Sequence, residues 1–404
     1  METRAQTYLD SLIASLRAAG RTETADVLAR AKDELQRSQW CEMTDYLLLA
    51  IRDPLVLESA YDLHENVLKV TRMDMSPMAY VKLLHCICFS PNSTFEKALD
   101  LIEGAALSLA ANSSEQGENA ASCIRALLLL DRNNNGKSSN AGASAHQARC
   151  ILDAVESFIH TKQMHEVEPV LAALHCQARG KDYEIRQQYT KFYQNAFETV
   201  KSAERAEMPI IESDMMELVN TTAIAALLSE ETYNFGKLLN DSHFTERLAN
   251  SKRHAWILEW LRLCNDGKVE AFEQYAAAHK AQIEAYPALS EALPSIMRKV
   301  RLMALLHLVF YTPFNERTFT FDVIARRCAV AEDRVEPLLL AALAQGVVMG
   351  KIDGLTNEVH ITWVEPRVLS LQEVKELAVH VSRWKEKVLG LSQYVAKIAQ
   401  ETPN

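Results

Sequence analysis

Helical spacing of apolar residues runs along most of this chain and gives way to strand spacing in two neighbouring runs, Val347–Ile352 and Glu358–Val364. The five residues between them are Asp353-Gly354-Leu355-Thr356-Asn357, and Asp-Gly between apolar runs is a hairpin signal. In the second run Val359, Ile361 and Trp363 should share one face, with Glu358, His360 and Thr362 on the other. Three helices are expected before the hairpin. An apolar one covers Ile296–Phe310, a short one covers Phe321–Cys328 with Thr320 placed to cap it, and a third covers Glu332–Gln345. Gly346 should stop the third by taking left-handed backbone angles, and Pro337, past the first turn, should cost it a hydrogen bond and kink it. Three helices followed by a hairpin make a winged helix.

Pro366 ends the strand pattern, and Ser370-x-x-Glu373 is a capping box that opens a new helix. Val374, Leu377, Val381, Trp384, Val388, Leu391, Val395 and Ile398 then alternate three and four residues apart. With 48% hydrophobic residues in the chain, eight apolar positions in one chosen register arise by chance about 0.3% of the time. The helix would extend roughly 43 Å, too far to bury its seam on one small domain, so it is expected to meet helices of other chains. The competing reading folds it back on the chain's own repeats.

Residues 1–290 read as helix after helix. Leu9, Leu12, Ile13 and Leu16 form one stripe; Met43, Tyr46, Leu47 and Ile51 form another. Ile151, Val155, Phe158 and Ile159 repeat the spacing, as do Ile185, Tyr189, Phe192, Ala196 and Val200. Pro54, Pro77, Pro91, Pro169 and Pro209 fall mostly between stripes. No strict period recurs, so we expect an irregular, TPR-like array of antiparallel helix pairs, each covering the apolar face of the next. The fold class is mostly α: a repeat array, a winged helix and a long C-terminal helix. Such an array is suited to contacts and poor at enclosing a catalytic cleft.

Composition fits a large soluble intracellular protein. Mean hydropathy is -0.12, no unbroken apolar run could span a bilayer, and Met1-Glu2-Thr3-Arg4 lacks the apolar core of a signal peptide. Eight cysteines without framework spacing suggest reduced thiols. A net charge of -10 opposes generic attraction to nucleic acid or anionic membrane.

Patterns for chemistry are incomplete. His64-Glu65 lacks the second histidine of a zinc-protease helix, since position 68 is Leu. In His85-Cys86-Ile87-Cys88, side chains two apart on a helix diverge and no second cysteine pair completes four ligands, so a buried helix with ordinary thiols is the reading. His160 and His165 are likewise poorly spaced, and no phosphate-cradling glycine motif is present. Asp131-Arg132-Asn133-Asn134-Asn135-Gly136 imitates the start of a calcium loop, but its twelfth position is Gly142. We expect a polar surface loop over Asn133–Gln147 and another over Asn112–Gly117, around a helix at Ala120–Arg132. No catalytic residue, cofactor site or metal site is assigned. A groove-reading third helix would need basic residues, yet it begins Glu332-Asp333-Arg334-Val335-Glu336, and Arg326 and Arg327 read as a solvated face.

The stretches Met303–Phe310, Phe321–Ala325, Gly346–Asp353 and Val359–Leu369 together resemble a PCI domain, the module shared by the proteasome lid, the COP9 signalosome and the translation-initiation-factor-three complex. Tyr233-Asn234-Phe235-Gly236-Lys237-Leu238-Leu239 and Gly267-Lys268-Val269-Glu270-Ala271-Phe272 direct the resemblance to the proteasome lid branch. Tyr233 to Gly236 should be a packed turn rather than a ligand site. The likeness is dense over 215–385 and faint before 180, and it places the repeat region at 1–215, the PCI domain at 216–366 (helical part to 295, winged helix from 296) and the terminal helix at 367–404. His307 stands where the pattern has an acid, so a local salt bridge is expected to be missing.

The resemblance implies a non-catalytic scaffold subunit of a cytoplasmic and nuclear hetero-oligomer, without nucleic acid, membrane or cofactor. No His-x-His pair is present to form the metal site of the lid's deubiquitinating subunit. The implied neighbours are the lid subunit called number five along an arc of PCI domains and the deubiquitinase pair through a helical bundle. His360 and Thr362 on the wing strand, acting as an edge, and the eight seam residues are the candidate interface positions.

Overall fold

The computed structural model describes residues 2–112, 114–134, 141–163, 165–208, 210–369 and 371–401, and the chain divides into two compact units, Met1–Ile211 and Glu212–Asn404.

The first unit is helical. Helices α1 (Glu2–Ala18), α2 (Thr22–Gln36) and α3 (Trp40–Ala50) lead into broken helical turns over 54–71. Then follow α4 (Pro77–Cys88), α5 (Phe95–Ala111), α6 (Glu115–Asn134), α7 (Ala141–Thr161), α8 (Pro169–Ile185) and α9 (Tyr189–Arg205). Pro54, Pro77 and Pro169 each occupy a first helical position, where the missing N–H costs nothing. Helix α6 is the centre of the unit and packs on α4, α5, α7 and α8. Its residues Ala120, Ala121, Cys123, Ile124 and Ala126 through Leu130 are all buried, as an all-round apolar helix must be.

Several expectations for this unit change. The stripe Ile185–Val200 is split: Ile185 ends α8, Gln187 turns the chain with φ 55°, and Tyr189 opens α9. On α7 the buried line is Ala148, Leu152 and Val155, leaving Ile151, Phe158 and Ile159 half-buried. The polar segments are more helical than composition suggests. Glu115 to Gly117 begin α6, Asn133 and Asn134 end it, and Ala141 to Gln147 begin α7. Ser113, residues 135–140 and Pro209 lie outside the described residues. Ionic links join α7 to α8: Arg149 Nε donates to the wholly buried Asp182 at 2.8 Å, and the buried Arg179 pairs with Asp153 and Glu156.

The second unit opens with α10 (Glu212–Leu228), the short helix Gly236–Asn240, α11 (Ser242–Asn250), α12 (Ala255–Asn265) and α13 (Val269–Ala278). The first winged-helix element is the C-terminal part of a longer helix, α14 (Pro287–Tyr311), which carries Pro294 inside and runs across position 295/296. After it come β1 (Thr318–Thr320), α15 (Phe321–Cys328), α16 (Val335–Ala344), β2 (Val348–Asp353), β3 (Glu358–Val364) and α17 (Leu371–Glu401). A 3-10 turn at Glu332–Arg334 replaces the start expected for the third helix. Pro337 therefore lies in the first turn of α16, where its absent N–H has no partner to lose, and the expected kink has no cause. Gly346 has φ +71°, as the stop signal requires. Thr320 takes the cap position of α15 but its side chain makes no capping bond.

The sheet is ordered β1-β3-β2 and antiparallel throughout. In the hairpin turn Asp353 Oδ1 accepts from the N–H of Leu355 at 2.9 Å and of Thr356 at 3.4 Å, and Asn357 takes the left-handed angle with φ 52°. Gly354 is not the left-handed residue of this turn.

Candidate interaction surfaces

The family-like stretches converge on one place in the second unit. Gly267 ends α12 with φ +62° and presses on α14 so closely that a Cβ would lie 2.4 Å from Ala304 Cα. Lys299, on the buried face of α14, donates to the carbonyls of Ala226 and Ser229 at 2.7 and 2.6 Å, closing the C-terminal end of α10. Its ammonium sits 4.9 Å from the Phe235 ring centroid and 5.8 Å from that of Tyr233. Burial pushes its pKa down to about 8. The Tyr233–Gly236 turn is thus packed around a cation. Periodicity contained a signal for Lys299: it falls three residues after Ile296 and four before Met303, on the apolar stripe.

After β3 a strap without regular secondary structure, 365–369, runs past this turn towards α17. Asn234 Nδ2 donates to Pro366 O at 3.3 Å, Asn240 Nδ2 to Leu369 O at 3.0 Å, and Arg367 Nη2 to Asn265 O at 2.5 Å. Val368 lies so close to Gly236 that a Cβ there would come within 2.6 Å of the valine Cβ. Two ends of the strap are therefore pinned before α17 begins. Beside it a cleft of about 260 Å³ is lined by Asn240, Asp266, His307 and Tyr311 among others.

The wing differs from its sequence pattern in two ways. Strand β3 is the central strand, paired with β2 on one side and with β1 on the other. It is not an edge, and the edge role passes to β1 and β2. Strand β1 has three residues, too few for alternation to mark it in the sequence. Second, the register skips a residue opposite Met349 and Gly350: Met349 pairs with Trp363 and Gly350 with Ile361, so Thr362 is the extra residue of a bulge. Val359 and Ile361 are buried, but the bulge turns Trp363 outward, 39% exposed, against Met349 at 55%. Trp363 therefore does not share the core face of Val359 and Ile361. His360 and Thr362 are exposed; His360 Nδ1 lies 3.0 Å from Thr318 Oγ1, and Thr362 Oγ1 donates to Met349 O at 3.2 Å.

Helix α17 presents its seam to solvent. Val374, Leu377, Val381, Trp384, Val388, Leu391 and Val395 are exposed by between 45% at Val388 and 67% at Trp384. The side chains of Ile398 and Glu373, and the whole of Ser370, lie outside the described residues.

Comparison with known proteins gives this geometry its context. The family described as PSD13 N-terminal repeats matches residues 27–261, more than half of the chain. The chain belongs to the PSD13 family. A PCI domain matches residues 276–363. Among relatives of the family, the chain is 26% identical to 26S proteasome non-ATPase regulatory subunit 13 homolog B of Arabidopsis thaliana over 76% of both chains. It is 24% identical to the probable 26S proteasome regulatory subunit rpn9 of Schizosaccharomyces pombe over 90% of both. A shorter likeness, 23% over 35% of both chains, is to eukaryotic translation initiation factor 3 subunit M of Drosophila ananassae. The PSD13 match runs past the structural division after Ile211, as far as Leu261 in the second unit.

In this PSD13-family chain the chemical patterns have plain surroundings. His64 lies in a π-helical turn with Nε2 3.1 Å from Tyr80 Oη. Burial pushes the Cys88 thiol up to about 12, and Cys86 in the same direction. His160 approaches Glu156 at 3.9 Å, and His165 is exposed. Among the described residues no group of three or more His, Cys, Asp or Glu is arranged to hold a metal, and no helix is long and apolar enough to cross a membrane. Where an acid was expected, His307 Nδ1 faces Arg327 Nη2 at 3.2 Å, an imidazole in place of a salt bridge. Arg326 is paired with Asp322.

Proposed function

We propose that this PSD13-family chain is a non-catalytic scaffold subunit of the lid of the 26S proteasome regulatory particle, needed for lid assembly and so for ubiquitin-dependent protein degradation. The observation that carries the reading is the uncovered seam of α17, an apolar line on the helix that follows the pinned 365–369 strap. Family membership and the proteasomal names of its long-matching relatives supply the complex. The repeats (1–215) and the PCI domain (216–366) hold neighbours in register, while the terminal helix (367–404) enters a bundle of helices from other subunits. The neighbours are the lid subunit called number five and, through the bundle, the deubiquitinase pair. The work is mechanical and takes place in cytoplasm and nucleus, without cofactor, nucleic acid or membrane. A second reading, a PCI scaffold in the translation-initiation-factor-three complex or the signalosome, has for support only the one-third likeness to subunit M.

The test places charge in the seam. Burying one large apolar side chain contributes about 1.5–3 kcal/mol, and an unpaired carboxylate in its place is strongly unfavourable. The double change Val381→Asp and Val388→Asp should sharply reduce recovery of lid subunits with the tagged chain. Circular dichroism and thermal unfolding of the isolated chain should stay close to the parent, because both side chains are already in water. Normal incorporation, or collapse of the isolated fold, overturns the proposal.

A further inference from the structure

The chain carries a net charge of -10, yet the formal charges beside the middle of the α17 seam are two lysines, Lys385 and Lys387. With Val374 as the first seam position, the positions flanking the seam in its middle are Ala378, His380, Lys385, Lys387, Ser392 and Tyr394. Acids take flanking positions only at the two ends, Glu373 and Glu401, and Glu386 falls on the side away from the seam. His380, Lys385 and Lys387 are exposed with the seam residues. Flanking charges of this kind select partner and orientation in helix pairing.

A second copy offers Lys385 and Lys387 no acid. In a parallel, in-register pair, His380 would meet Lys385 of the copy and Lys387 would meet Ser392. In an antiparallel pair centred on the middle of the helix, Lys385 and Lys387 would each meet their own equivalents. The parallel pair thus leaves both lysines without an opposite charge, and the antiparallel pair sets like charges together, which destabilises it.

We infer that the α17 seam takes a heterologous helix, or helices, whose seam is flanked by Glu or Asp, the charge that a second copy does not offer Lys385 and Lys387. This rests on the interface reading above and deepens it by naming the chemistry of the partner.

The probes are two synthetic peptides of about 28 residues, four heptads with a Val/Leu seam, one with Glu and one with Lys at every flanking position. Binding to the full chain is followed by fluorescence anisotropy at low and at physiological salt. The Glu-flanked peptide should bind roughly tenfold more tightly than the Lys-flanked one, against the direction set by the chain's overall charge. The preference should shrink as salt rises. The double change Lys385→Glu and Lys387→Glu, at exposed positions, should reverse it with no change in thermal unfolding. Sedimentation should give a monomer for the parent.

Equal binding of both peptides, or a preference for Lys flanks, overturns the inference while leaving the interface standing. Self-association abolished by Val381→Asp overturns it in favour of a second copy. Binding of neither peptide overturns it as well; lid recovery with Val381→Asp and Val388→Asp then tells separately whether the interface survives.

Discussion

Lys299 shows how one side chain can carry a junction. It is charged at neutral pH, buried, and answered by two carbonyl oxygens and two aromatic faces rather than by a carboxylate. Its pKa is about 8 in the fold against an ordinary 10.5. Below pH 8 both folded and unfolded states hold the proton, and stability does not change through this group. Between pH 8 and 10.5 the unfolded state holds more of it, so stability gains with rising pH, and the gain is complete above the unfolded value. Other groups titrate in that range; burial raises the Cys264 thiol to about 12, which opposes the gain. The informative quantity is therefore the difference between the parent and Lys299→Met. From pH 7.5 to 9.5 that difference should move by about 2 kcal/mol in the parent's favour, measured by urea unfolding at both pH values. A flat difference would mean that Lys299 keeps an ordinary pKa.

At the scale of elements, the wing tests what an exposed side chain does on a strand with no free edge. We expect His360 and Thr362 to lie near a neighbouring subunit even though any added strand must join at β1 or β2. The double change His360→Glu and Thr362→Lys should weaken association with the adjoining lid subunit in a pairwise pull-down. It should shift the melting temperature of the isolated chain only slightly, since both side chains are exposed. Equal loss of binding and stability would mark β3 as purely structural. The elements themselves were largely legible: α15, the hairpin, the Gly346 stop and the seam of α17 follow from spacing and turn chemistry. What was not legible has physical causes. The bulge at Thr362 depends on the partner strand, so alternation in β3 alone assigned Trp363 to the wrong face. Ile185 and Tyr189 share one period across a left-handed residue, Gln187, that is no usual turn former. The strap contacts join residues about 130 apart in sequence, beyond the reach of any local pattern.

For the molecule as a whole, charge argues against nucleic acid. The 3-10 turn and the start of α16 expose Glu332, Asp333 and Glu336, while Arg326 is tied to Asp322 and Arg327 faces His307. Fluorescence anisotropy at physiological salt should show the chain binding DNA and RNA no better than an acidic control protein. Micromolar binding that falls steeply with salt, and vanishes on Arg326→Glu with Arg327→Glu, would contradict this. The strap has a consequence of another kind. At Pro366, Leu369 and Asn265 the acceptors are main-chain oxygens, atoms that every residue type supplies. Residues 366 and 369 can thus exchange their side chains without losing these bonds, so long as Asn234, Asn240 and Arg367 remain as donors.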